Sequence, residues 1–80
     1  MKKEYPYYIE SEALYNCIWK VISPESALQI DVKFKSVMMY GSSTVKMLEN
    51  DKDDTFKIRP ISKLDFESAK ALVLKYLNLV

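Results

Sequence analysis

From Leu28 to Ser36 the chain reads LQIDVKFKS, and apolar and polar residues alternate as far as Lys35. Ile30, Val32 and Phe34 share one parity; Gln29, Asp31, Lys33 and Lys35 share the other. A two-residue period is that of a β-strand with one buried and one solvated face. TFKIRP, residues 55–60, repeats the pattern with Phe56 and Ile58 set against Lys57 and Arg59. STVKMLE, residues 43–49, places Val45 and Met47 inward and Thr44 and Lys46 outward. Short turns, at Gly41 and in the polar run ENDKDD, separate these segments and predict a three-stranded antiparallel meander.

Helical signals flank the meander. Residues 11–23 open with Ser11, a good N-cap, carry Glu12 in the first turn and stop at Pro24. Leu14, Ile18, Val21 and Ile22 form the stripe, flanked by Tyr15 and Trp19. From Ser62 onward, Ser62 and Asp65 resemble a capping box. Leu64, Ala69, Leu72, Val73, Tyr76 and Leu77 then supply a face at helical spacing, with Phe66 at its margin. The expectation is an α+β domain of order α-β-β-β-α over residues 1–80, with both helices packed on one face of the sheet and the other face open. Phe34, Phe56 and Leu72 are expected inside, while Lys33 and Lys57 stay exposed.

Eighty residues allow one core. Net charge is only +1, but the acids are segregated. Glu4, Glu10, Glu12 and Glu25 precede the first expected strand; Glu49, Asp51, Asp53 and Asp54 share a turn; Asp65 and Glu67 open the last helix. The open sheet face is thereby expected to carry Lys33, Lys35, Lys46, Lys57 and Arg59, a pattern suited to phosphate contacts. A solvated polar face of an antiparallel sheet has the same pattern without any ligand.

Nothing in the chain suggests catalysis. With no histidine, no Ser-His or Cys-His pair exists. Cys17 lies among apolar residues and reads as an inert small hydrophobe. Asp51, Asp53 and Asp54 lack the Gly and the late Glu of a calcium loop, and there is no zinc spacing or Gly-rich phosphate loop. Neither enzymatic activity nor a cofactor is expected. The lone cysteine and the absence of an apolar leader in MKKEYPYYIE point to a cytoplasmic protein. No apolar run approaches the roughly 20 residues of a membrane span.

Trp19, Tyr15, Phe34, Phe56 and Tyr76 are expected in the core. Tyr5, Tyr7 and Tyr8 are placed to pack on the domain or on a partner. Val37 and Met39 share the outward parity of Lys35 unless a bulge intervenes near Ser36.

Several stretches, in order, resemble the signal recognition particle 9 kDa protein family: YIES at Tyr8–Ser11, SPES at residues 23–26, KFK at Lys33–Lys35 and TVKMLENDKDDTFKIR at residues 44–59. Ala27, Leu28 and Gln29 stand where that family tends to place basic residues. The resemblance implies pairing with a homologous 14 kDa-type subunit, so that the joined sheets grip the Alu domain of the particle RNA and support elongation arrest. It also implies RNA contact by Lys33, Lys35, Lys46, Lys57 and Arg59. A double-stranded RNA-binding domain shares the α-β-β-β-α order, but uses loop and second-helix basics where this chain has Asp65 and Glu67. A small protein-interaction module, of a viral-inhibitor or kinase-associated type, needs no RNA.

Overall fold

The computed structural model describes residues 4–12 and 17–78. The chain is α+β. Among the described residues, a meander of β1 (Tyr7–Ser11), β2 (Cys17–Ser23), β3 (Ser26–Asp31) and β4 (Ser36–Tyr40) leads to α1 (Ser42–Glu49). β5 (Ile58–Pro60) and α2 (Lys63–Asn78) follow. All pairings in the sheet are antiparallel, and its order is β4-β3-β2-β1-β5.

Among the described residues the sheet thus has five strands rather than three, and four of the expected elements change type or length. The helix expected over residues 11–23 is replaced where described by the end of β1 and by β2; Leu14 and Tyr15 lie outside the described residues. β2 is a central strand covered on both faces, and such strands are apolar almost throughout. A run like CIWKVIS therefore satisfies a helical period as easily as a strand period.

The expected strand at residues 43–49 is α1. Its buried residues are Val45 and Leu48, three apart, while Met47 is exposed. Gly41 occupies the N-cap without a side-chain bond, and Asn50 N–H closes the helix onto the Lys46 carbonyl at 2.9 Å.

The strand expected over 28–36 breaks after Asp31. The Asp31 carboxylate accepts a 2.9 Å bond from Phe34 N–H, and Lys35 adopts a left-handed backbone with φ 58°. Residues 32–35 form a hairpin loop, so Phe34 is 62% exposed rather than buried. Val37 and Met39 then belong to a separate strand, β4, on which Val37 is half-buried and Met39 exposed.

The two helices also cover opposite faces of the sheet rather than one. Val45 and Leu48 of α1 pack with Ile9, Cys17, Trp19, Val21 and Ala27. Phe66 and Val73 of α2 pack with Ile18 and Ile30. Cys17, Trp19 and Val21 alternate with Ile18 along β2, and successive strand residues point to opposite faces. Neither face is left open. α2 is the element closest to expectation: Asp65 N–H donates to Ser62 Oγ at 3.0 Å, as a capping box requires. Yet Leu72 is 68% exposed and Tyr76 49%, because Phe66 and Val73 take the buried stripe. Among the described residues, no helix is long and apolar enough to cross a membrane.

Candidate functional site

Of the five cations expected on one open sheet face, the fold brings only part together. Asp31, Cys17, Ser11 and Ile58 are successive partners across β3, β2, β1 and β5, so they mark one end of the sheet. Lys33 and Lys35 lie in the loop just past Asp31, and Lys57 immediately precedes Ile58. They share that end but stand three strand spacings apart, roughly 14 Å. Lys33 and Lys57 are exposed, as expected. Lys35 is folded back: its Nζ donates to the Val32 carbonyl at 2.6 Å and lies 6.0 Å from the Tyr76 ring centre.

Lys46 is on α1 and lines an open groove of about 490 Å³ with Met47, Asp51, Lys52 and Phe56. Arg59 is engaged. Its guanidinium donates to both Asp54 oxygens, at 3.0 and 3.1 Å, and this pairing holds the Asp54 carboxyl below its usual range. Positive backbone φ at Asp54 (54°) and Lys57 (50°) breaks the alternation of TFKIR, leaving only Ile58–Pro60 as strand.

The acidic turn is likewise occupied by the chain itself. Asp51 accepts from Thr55 N–H at 2.9 Å and Phe56 N–H at 3.0 Å. Phe56 is half-buried above this turn. Among the described residues no group of three His, Cys, Asp or Glu side chains could hold a metal ion.

Buried polar groups on the α1 face are tied in pairs. Trp19 Nε1–H donates to the buried Ser11 Oγ at 3.0 Å. Tyr5 and Tyr7 both donate to the Glu49 carboxylate, at 3.0 and 2.5 Å. Desolvation, then the bond to Glu49, raises both phenols above their ordinary range. Cys17 is buried; that burial, and then the neighbouring Asp31, push its thiol up to about 11. A thiol so protonated is a poor nucleophile at neutral pH. On the other face the Tyr8 ring meets Phe66 at a tilt, with ring centres 5.1 Å apart.

Part of what faces outward is apolar. β4 forms one edge of the sheet, and Met38 and Met39 on it are 50% and 60% exposed. Met39 pairs with Leu28, which packs in the α2 core, so Met39 shares the α2 face. Tyr76 reaches the 32–35 loop through Lys35, and Leu72 lies one helical turn back on the same side. Met39, Leu72 and Tyr76 thus lie on the β4 side of the α2 face, and Phe34 is exposed in the loop that Tyr76 reaches. The lack of charge in SVMMY was the sequence signal for this edge, but it becomes readable only once β4 is known to end the sheet. No family model, no curated protein and no solved structure matches the chain.

Proposed function

We propose that this domain is a non-enzymatic interaction module that works by contact with protein through the β4 edge and the neighbouring flank of α2. The observation that carries the reading is that the exposed apolar side chains Met39, Leu72 and Tyr76 share the β4 side of the α2 face, with Phe34 exposed in the adjoining loop. Scattered exposed hydrophobics are ordinary, whereas contiguous ones mark contact surfaces. An environment-sensitive apolar dye tests it. The native protein should bind the dye, and the double variant Met39→Lys/Leu72→Lys should lose most of that binding while remaining folded. Equal dye binding by both proteins would overturn the assignment of this surface.

The resemblance to the signal recognition particle 9 kDa family supplies a second reading, an RNA-binding subunit paired with a 14 kDa-type protein. In its favour, Lys33 and Lys57 are exposed at the same end of the sheet. Against a grip by an open sheet stand α1 and α2 on its two faces and the commitment of Arg59 to Asp54. Titration with a structured RNA separates the readings. If the cations contact phosphate, Lys33→Ala, Lys46→Ala and Lys57→Ala should each lower the salt slope by roughly 0.7 to 0.9. An unchanged affinity and slope in the triple variant would remove the RNA reading.

A further inference from the structure

We propose that β4 pairs edge to edge with β4 of a second copy of this chain, antiparallel and centred on Met38, so that the two sheets become one. The inference rests on the interaction-module reading and names its partner.

One side of β4 is hydrogen-bonded to β3; the other has no strand beside it among the described residues. In an antiparallel strand alternate residues turn their N–H and C=O groups away from the bonded neighbour, and at an edge these groups offer a template for another strand. Sheets usually protect such edges with charge, proline or a bulge. Ser36–Tyr40 has no charged residue and no proline, and its pairing with β3 is regular from end to end.

The strand is also complementary to itself. A two-fold axis at Met38 sets Ser36 opposite Tyr40, Val37 opposite Met39 and Met38 opposite its own copy. Val37 and Met39 both lie on the α2 face, since they pair with Ile30 and Leu28 of that core. The register therefore matches like face with like face, whereas a slip of one residue would oppose the two faces.

Charge selects the antiparallel direction. Past the Ser36 end of β4 lies the loop with Lys33 and Lys35. At the other end Glu25 sits in the β2–β3 turn, its carbonyl oxygen 4.0 Å from where a Cβ on Gly41 would stand. Antiparallel pairing brings the lysine loop of each copy beside Glu25 of the other. Parallel pairing would stack lysine on lysine. This reciprocity is the signature of an isologous two-fold contact.

Sedimentation velocity over a concentration series tests the inference. The native chain should pass from monomer to dimer, and Met38→Lys, at a half-exposed site where circular dichroism should show the fold intact, should weaken dimerisation at least tenfold. Glu25→Lys should weaken it too, and Glu25→Lys/Lys33→Glu should recover much of the loss. Residues directly opposite in an antiparallel pair have Cα atoms about 4.5–5.5 Å apart, within the reach of a disulfide. Met38→Cys should accordingly give a covalent dimer on oxidation, and Val37→Cys should not; Cys17, 3% exposed, does not compete.

A native chain that stays monomeric up to its solubility limit overturns the pairing. So does a dimer indifferent to Met38→Lys, or an association abolished by nuclease, which would make RNA the occupant. A monomer that still loses dye binding in Met39→Lys/Leu72→Lys leaves the interaction-module reading standing with a different protein partner. A monomer that binds no dye overturns both.

Discussion

The two faces of the sheet are held by different means. Under α2 the packing is almost wholly apolar: Ile18, Ile30, Phe66 and Val73, with Leu28, Val32, Val37 and Ile61 around them. Under α1 the same sheet buries Trp19, Val21 and Val45 beside polar pairs, namely Ser11 with Trp19 and Cys17 near Asp31, with Tyr5 and Tyr7 on Glu49 at the margin. The lengths of the helices account for the contrast. α2 has 16 residues and a Ser62 cap, enough to present several turns of apolar surface. α1 has eight residues and no side-chain cap, and short helices are marginal without tertiary ties. The Tyr5 and Tyr7 bonds to Glu49, in its last turn, are such ties.

The largest effect is expected on the apolar face. Phe66 is fully buried, and Phe66→Ala should cost about 3–5 kcal/mol, a large part of the stability of a domain this small. Chemical denaturation should show most of the variant unfolded in dilute buffer or near its midpoint. A cost below about 1 kcal/mol would mean that α2 is not the main cover of its face.

The polar face should respond to loss of a single atom. Ser11→Ala removes the acceptor of the buried Trp19 indole N–H and should cost about 1–3 kcal/mol, through the unmet donor rather than lost volume. Trp19→Phe in the same background should recover part of that cost, because the orphaned donor goes with the indole. Additive losses from the two substitutions would show that the bond is not what couples them.

These faces were not equally legible in the sequence. α2 could be read because Ser62 and Asp65 mark its start and its stripe runs for several turns. α1 could not. In eight residues, Val45 with Met47 fits a strand as well as Val45 with Leu48 fits a helix, and only the packing partner decides. β2 misled for the opposite reason: both of its faces are covered, which erases the alternation that identifies a strand. The hairpin at residues 32–35 hid because Lys33, Phe34 and Lys35 carry the alternation of β3 straight through the loop. The basic residues were legible one by one, but their common face depended on elements that formed otherwise.

Alkali should distinguish the faces without mutation. Cys17, Tyr5 and Tyr7, all with raised pKa values, lie on the α1 side, and the buried residues of the α2 core, Ile18, Ile30, Phe66 and Val73, are all apolar. A group whose pKa is raised by folding keeps its proton longer in the native than in the unfolded state. Its contribution is therefore complete below the unfolded value and is lost as pH rises through the folded one. For Cys17 the window runs from 9.0 to about 11. Denaturant midpoints should fall across it, and Cys17→Ala should flatten the fall. A midpoint as steep in the variant as in the native chain would assign the whole alkaline loss to the tyrosines.

The smallest effect is expected two residues from the largest. Leu64 lies on α2 with Phe66, but it is 75% exposed, while Phe66 is fully buried. Read along the sequence, both belong to one apolar helix, and Leu64 is the better fit to its stripe. In the fold the sheet accepts Phe66, and Leu64 turns to solvent. Leu64→Gln keeps a good helix former of similar length and removes only exposed apolar surface. Its midpoint should stay within about 0.5 kcal/mol of the native chain's. A loss near that of Phe66→Ala would rotate α2 on its axis and put the sequence-predicted stripe, not the observed one, against the sheet.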